Sequence, residues 1–166
     1  MNYFDLFSLP ISFQPDLSVV KEKFYELSRK YHPDFHNQAS EEEQEDILEK
    51  ASLVNMAYKV FLHPDETIKY ILVLKGLLVE EEKYQLSPDF LMEVLELNEE
   101  ALDVSEQADI DRLTQTIHNF KNEIYEPVKT ILANYQEGIT SEKELLQVKE
   151  YYYRKKYLTR ILAGLK

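Results

Sequence analysis

The stretch Tyr31-His32-Pro33-Asp34 joins a helical pattern to a polar loop and decides how the first half of this chain folds. Before it, apolar residues recur at helical spacing from Leu17 onward. The proline disfavours helical backbone at the residue before it, so the helix is predicted to end there. A second amphipathic pattern follows Ser40, whose spacing from Glu43 is typical of a capping box. Two such helices with a short connection predict an antiparallel hairpin with the triplet at its tip.

The composition favours an all-α fold. Of 166 residues, 44% are hydrophobic, which is enough for a packed core, and the counts of 3 Gly and 6 Pro leave long uninterrupted elements. The absence of Cys excludes disulfides, thiolate metal sites and a cysteine nucleophile. The longest apolar run, near 70–79, is interrupted by Lys75 and Gly76, so no membrane span is expected. The N-terminal residues lack the pattern of a signal peptide.

The charge distribution points to protein partners. A net charge of −12 argues against nucleic acid, because phosphate binding requires a basic surface. Residues 17–31 nevertheless carry four basic and two acidic residues, a net charge of +2. Residues 80–111 carry twelve carboxylates against Lys83 alone, and residues 148–166 carry six basic residues against Glu150. Segments of opposite sign in one chain favour binding to proteins or packing against each other.

A second triplet, His63-Pro64-Asp65, lies between a long helical pattern and a short one. Proline is common where a helix ends, so a structural role is a sufficient explanation for this copy. The functional interpretation is therefore assigned to the first triplet. That triplet follows a helix whose cationic face carries Lys23, Arg29 and Lys30.

The second half of the chain predicts a three-helix bundle over residues 88–166, preceded by a linker at 77–87. Ser87-Pro88-Asp89 is typical of a helix start, with an N-cap serine and a proline at the first helical position. That helix is predicted to end near Leu102.

The two following helices have their own boundary signals. One is predicted to begin at Ser105, to kink at Pro127 and to end at Gly138. The last begins after Ser141, which forms a predicted capping box with Glu144.

The helix over 90–102 has more apolar residues than one buried face requires. Its core stripe consists of Phe90, Val94, Leu97 and Ala101, and a second apolar set consists of Leu91, Met92 and Leu95. This second set either thickens the core or forms an exposed patch with an acidic rim, which would be a protein-binding surface. The same two possibilities apply to the four tyrosines at 151, 152, 153 and 157, since four within seven residues cannot all face inward.

Several motifs together carry a resemblance that covers essentially the whole chain. They are Tyr31-His32-Pro33-Asp34, Asn2-Tyr3-Phe4-Asp5-Leu6-Phe7, Asn55-Met56-Ala57-Tyr58, His63-Pro64 with Tyr70, and Phe90-Leu91-Met92-Glu93-Val94-Leu95-Glu96-Leu97 with Glu99-Glu100. The chain resembles the HscB family, the J-type co-chaperones of iron–sulfur cluster assembly. The resemblance implies an L-shaped all-α fold, with an N-terminal J domain over 1–76 and a scaffold-binding bundle over 88–166. The J domain would be an antiparallel helical hairpin with flanking short helices.

The resemblance also implies two partners and a cytoplasmic protein that is not itself an enzyme and needs no cofactor or metal. The first partner is a DnaK/HscA-type ATPase chaperone, whose implied contacts are Tyr31, His32, Pro33, Asp34, Lys23, Arg29 and Lys30. The second is an IscU-like iron–sulfur scaffold protein, whose implied contacts are Leu91, Met92, Leu95, Glu96, Glu99, Asp103 and Tyr157. One departure concerns the loop: many family members have a basic residue directly after the triplet, whereas this chain has Phe35 and His36.

Three other interpretations compete with this one. A metal-dependent enzyme could use His32, Asp34, His36 and His63, because imidazole and carboxylate are zinc ligands. A helical adaptor would make the triplet incidental. A generic J-domain co-chaperone for a different client would differ only in what the bundle binds.

Overall fold

The computed structural model describes residues 1–165, and these residues contain eight α-helices, two short 3₁₀ turns and no strand. The predicted all-α fold is confirmed. The α-helices are α1 (Tyr3–Leu6), α2 (Leu17–Lys30), α3 (Glu41–Leu62), α4 (Pro64–Leu74), α5 (Pro88–Asp103), α6 (Gln107–Tyr125), α7 (Lys129–Asn134) and α8 (Glu142–Gly164). The 3₁₀ turns are Pro33–Phe35 and Glu126–Val128.

Polar side chains at the helix starts explain most of these boundaries. Asp16 caps α2 through Ser18, and the Ser40 hydroxyl accepts from the Glu43 backbone N–H at 3.2 Å to open α3. At α8 the predicted capping box is confirmed in both directions between Ser141 and Glu144. Each cap gives a partner to backbone N–H groups that a helix start otherwise leaves unpaired.

Two boundaries of α6 and α7 differ from the prediction. The N-cap of α6 is Glu106 rather than Ser105, and it makes no side-chain cap hydrogen bond. The helix predicted to end at Gly138 ends four residues earlier, at Asn134. Gly138, with φ at +80°, lies in the turn beyond, where its lack of a Cβ permits the left-handed conformation. The predicted kink at Pro127 is confirmed as a 3₁₀ turn that separates the two helices.

The chain divides into two compact units, of which the first contains residues 1–75 and the short segment 135–137. Its core includes fully buried Phe4 and Phe7, whose rings lie 5.0 and 5.1 Å from that of Phe61 on α3. Burial of aromatic rings of this size supplies much of the stability of a small unit. The ring of Tyr135 packs edge-on against Phe13 at 5.2 Å, which is how the short segment joins this unit.

The predicted hairpin of α2 and α3 is confirmed by the order of its cross-helix contacts. Phe24 in the middle of α2 stacks on Tyr58 near the end of α3, with ring centroids 3.9 Å apart. Tyr31, seven residues later, meets Lys50, eight residues earlier, so the helices run antiparallel. Three leucines of the hairpin are 40–54% exposed and so lie outside its core. They are Leu17 on α2, and Leu48 and Leu62 on α3.

The second unit contains residues 76–134 and the chain from Gly138 onward. Here α5, α6 and α8 pack against one another around fully buried Ile117, Val148 and Leu158, as the predicted three-helix bundle requires.

Residues 77–87, assigned above as a linker, are packed against α8 within the second unit. The ammonium of Lys149 donates to the Leu77 carbonyl at 2.6 Å and lies 3.1 Å from a Glu82 carboxylate oxygen. The Tyr153 hydroxyl donates to the same carboxylate at 3.0 Å, and the Tyr153 ring stacks on Tyr84 at 4.5 Å. Burial alone would raise the pKa of Glu82, but the hydrogen bonds from Lys149 and Tyr153 outweigh it and lower that pKa.

The Tyr84 hydroxyl adds a contact to the same surface, since it hydrogen-bonds the Glu150 carboxylate. Burial, followed by this hydrogen bond, raises the pKa of Tyr84 to about 12. Leu78 and Leu86 are both buried nearby, so the segment is anchored by polar and apolar contacts alike.

Among residues 1–165, no helix combines the length and the apolar character needed to cross a membrane.

Candidate functional site

The triplet at the hairpin tip is a single hydrogen-bonded unit. Nδ1 of His32 accepts the backbone N–H of Asp34 at 3.2 Å, so the histidine side chain acts as the N-cap of the 3₁₀ turn. Pro33 occupies the first position of that turn, where its fixed φ suits the geometry and its missing N–H costs nothing. Each of the three residues therefore has a structural part in the same turn.

This arrangement leaves the polar edges of the triplet exposed. Because Nδ1 of His32 is an acceptor, the neutral imidazole carries its proton on Nε2. The side chains of His32 and Asp34 are 53% and 82% exposed, and Nδ1 lies 3.7 Å from Oδ2 of Asp34. A donor and a carboxylate are thus displayed side by side on a rigid turn, which suits specific recognition by another protein.

Two side chains hold the loop from either end. Nε2 of His36 lies 2.8 Å from the Lys30 carbonyl, which can only accept, so the ring donates to the last residue of α2. From the first turn of α3, the side-chain amide nitrogen of Gln44 lies 3.3, 3.2 and 3.0 Å from the carbonyl oxygens of His36, Asn37 and Ala39, so its two hydrogens are shared among three acceptors. The loop is therefore ordered by contacts with both helices of the hairpin.

The predicted cations lie on α2 before the loop but are not equivalent. Arg29 and Lys30 are exposed, whereas the Lys23 ammonium lies 4.0 Å from a Glu26 carboxylate oxygen. Tyr31 is partly buried, with the ammonium groups of Lys30 and Lys50 at 5.3 and 5.7 Å from its ring centre. Its ring thus holds positive charge close to the triplet.

The second apolar set on α5 is exposed, which contradicts the interpretation that it thickens the core. Leu91, Met92 and Leu95 are 42%, 58% and 52% exposed, while Phe90 and Val94 are buried. The predicted acids Glu96, Glu99 and Asp103 are also exposed. These six exposed residues, together with Leu102, are called the α5 patch below.

Leu102 is 85% exposed, and the sequence analysis did not include it in the second apolar set. Its spacing from Leu91 and Leu95, at i+11 and i+7, places it on the same line of the helix, so the periodicity could have revealed it. Tyr157 lies on α8 and is partly buried, with the Arg160 guanidinium 5.6 Å from its ring centre. The Tyr157 ring therefore contacts a cation of its own helix.

The tyrosines of α8 divide between core and surface. Tyr151 and Tyr153 are buried, while Tyr152 and Tyr157 are only partly covered.

The comparisons with known proteins cover the second half of the chain by a family model and most of the chain by individual relatives. Residues 86–166, which include the α5 patch, match the family model described as the HSCB C-terminal oligomerisation domain. The curated co-chaperone protein HscB homolog of Vibrio parahaemolyticus is 36% identical over 140 residues, 84% of this chain and 80% of the relative. The homolog of Vibrio campbellii is 35% identical with the same coverage.

This chain belongs to the HscB family of co-chaperones. The family predicted from the triplet and the α5 motif is confirmed.

Solved HscB structures extend the likeness over the whole fold. The chaperone HscB from Vibrio cholerae matches with a TM-score of 0.73 at 25% identity, over 99% of this chain and 95% of that one. The human co-chaperone protein HscB matches with a TM-score of 0.81 at 25% identity, over 99% of this chain and 80% of that one.

The histidines of the metal-site interpretation make hydrogen bonds to the backbone. Within residues 1–165, no three His, Asp or Glu side chains come together as metal ligands would. Nδ1 of His32 and Nε2 of His36 are both occupied by backbone groups, and Nδ1 of His63 lies 2.7 Å from the Lys59 carbonyl.

Proposed function

We propose that this chain stimulates the ATPase of a DnaK/HscA-type chaperone and delivers an IscU-like iron–sulfur scaffold protein to it. The observation that carries the first part is the exposed, hydrogen-bonded turn at His32-Pro33-Asp34, held at the end of a helix that displays Arg29 and Lys30. The HscB relatives of this chain are named as co-chaperones, which supports the same assignment.

The action on the chaperone is a shift of a conformational equilibrium. The chaperone supplies the hydrolytic chemistry, and this chain favours the state that hydrolyses ATP by binding it more tightly. The Nε2–H of His32 and the carboxylate of Asp34 make directional polar contacts, while the turn limits the entropy lost on binding. Arg29 and Lys30 attract an acidic partner surface and raise the association rate.

The α5 patch is the proposed binding site for the scaffold protein. Exposed apolar side chains with an acidic rim require a partner surface that has apolar residues surrounded by basic ones. Met92 suits such a contact because an unbranched thioether adapts to the opposing surface. A chaperone-binding loop and a client-binding patch on one chain make delivery possible.

The test is a reconstituted ATPase assay with the HscA-type chaperone and the IscU-like scaffold protein of the source organism. We expect the wild-type chain to stimulate hydrolysis several-fold and to stimulate it further with the scaffold present. Absence of any stimulation would overturn the chaperone part of the proposal. Stimulation without scaffold binding would instead favour a J-domain co-chaperone for a different client.

A double variant, Leu91→Ala with Leu95→Ala, tests the patch directly. We expect scaffold affinity to fall about tenfold or more, because apolar interfaces concentrate binding energy in few residues. The melting temperature should stay close to that of the wild type, since both side chains are about half exposed. Leu146→Ala on α8 is a matched control, because Leu146 is 45% exposed. Equal scaffold affinity for the double variant and the control would refute the patch.

A further inference from the structure

An exposed aromatic side chain stands directly after the triplet. Phe35 is 71% exposed, and its ring meets that of His32 edge-on at 5.9 Å. The next residue, His36, turns back to the Lys30 carbonyl, so the loop is ordered around Phe35 while the phenyl ring itself remains in solvent. Phe35 therefore contributes little to the core.

A second exposed aromatic ring, on α2, also lies close to His32. Tyr25 is 54% exposed and borders a shallow depression of about 490 Å³ that is also lined by Ser28, Arg29 and His32. His32 is thus adjacent to Phe35 through its ring contact and to Tyr25 through this depression. The surface around the triplet combines two aromatic side chains with the cations of α2.

We propose that the chaperone-binding surface of this chain has an apolar half made of Phe35 and Tyr25, and that the partner pairs an acidic area with an apolar cleft for the Phe35 ring. This inference rests on the proposed function and specifies the partner surface for that site. A wholly acidic partner surface would leave the phenyl ring in water. An adjoining apolar cleft would bury it together with the neighbouring Tyr25 surface.

The two halves of the surface have separable effects on binding kinetics. Exposed cations act mainly on the association rate and make it sensitive to salt. Buried aromatic rings act mainly on the dissociation rate, because that is where most differences among variants of one interface appear. The division can therefore be measured without a structure of the complex.

The experiment measures association and dissociation rates of the full chain with the ATP-bound chaperone at low and at high salt. The variants are Phe35→Ala, Tyr25→Ala, the pair Arg29→Ala with Lys30→Ala, and the control Met56→Ala, which removes a side chain 51% exposed on α3. We expect Phe35→Ala to raise the dissociation rate about tenfold, with Tyr25→Ala smaller in the same direction and the salt dependence kept. The cation pair should lower the association rate and flatten its salt dependence.

The outcomes separate this inference from the function on which it rests. If the wild-type chain binds and stimulates the chaperone but Phe35→Ala dissociates like Met56→Ala, the apolar half is refuted and the proposed function stands. If the wild-type chain neither binds nor stimulates, both fail. Circular dichroism and the melting temperature of each variant should match the wild type, because the substituted side chains are exposed.

Discussion

The two His-Pro-Asp triplets have the same three residues but different hydrogen bonds. At the first, Nδ1 of His32 accepts a backbone N–H from within its own short turn. At the second, Nδ1 of His63 faces the Lys59 carbonyl at 2.7 Å, so its ring donates back into the helix that it ends. One triplet closes a turn that projects from a hairpin, and the other closes one helix and opens the next.

The difference lies in what surrounds each triplet. Pro64 is the first residue of α4, and the hydroxyl of fully buried Thr67 donates to the carbonyls of Val60 and His63 at 2.7 and 3.2 Å. Pro33 instead opens a 3₁₀ turn of only three residues, beside which the side chains of His32 and Asp34 are exposed. An identical short motif therefore takes a different local structure according to the helices that flank it.

Substitution of each histidine in turn should give the largest difference between the two triplets. His32→Gln should abolish stimulation of the chaperone ATPase, because it removes the imidazole at the exposed turn. His63→Gln should keep stimulation close to the wild-type level, since Nδ1 of that ring is bonded to a carbonyl of the helix that it ends. Steady-state and single-turnover ATP hydrolysis with equal amounts of each variant measure the difference.

Both variants should keep the helical circular dichroism spectrum of the wild type. Full stimulation by His32→Gln, or its loss in a folded His63→Gln, would reverse the roles assigned to the triplets.

Thr67→Val should show that the second triplet has a structural role, because the Thr67 hydroxyl bonds the His63 carbonyl. The substitution removes a buried hydroxyl that bonds two carbonyls, and its cost should be about 1–2 kcal/mol in the free energy of unfolding. Urea denaturation measures this change, and chaperone stimulation at low temperature should remain normal. Thr159→Val, which makes the same substitution at an exposed position on α8, provides the control for stability. An unchanged unfolding free energy for Thr67→Val would contradict the structural role.

Gln44→Ala should have a smaller effect on stability and ATPase stimulation, confined to the loop that follows the first triplet. Loss of the amide that is shared among three loop carbonyls should lower stability by about 1 kcal/mol or less and speed hydrogen exchange of the amides over 36–39. Stimulation should fall only a few-fold, because His36 still ties the loop to α2. Gln38→Ala, at an exposed loop position, is the matched control. Equal exchange rates in the two variants would show that Gln44 does not order the loop.

Most helices of the fold could be predicted from the sequence, because hydrophobic periodicity and helix caps are local signals. The hairpin, the capping box at Ser141 and the break at Pro127 depend on neighbours within a few residues of each other. The direction of the His32 and His63 rings could not be predicted, because it depends on which backbone group each ring meets. The packing of Tyr84 and Glu82 on α8 depends on residues more than sixty positions away, which no local pattern contains.

The exposure of the α5 patch also could not be predicted from local sequence patterns. Helical spacing separated Leu91 and Leu95 from the core stripe, but spacing alone does not tell whether a second helix covers them. Their exposure follows from where α6 and α8 pack, which is a property of the folded unit.

Gln44 bonds backbone carbonyls of the loop and not its side chains, so the loop can accept substitutions. A carbonyl oxygen is common to every amino acid, so side chains at 37–39 can change over time without losing these contacts. The same property makes Gln38 a convenient position for a fluorescent label or crosslinker, because its side chain is exposed and takes no part in these contacts. A reporter there would lie in the loop that follows the triplet and leave the backbone anchors of that loop intact.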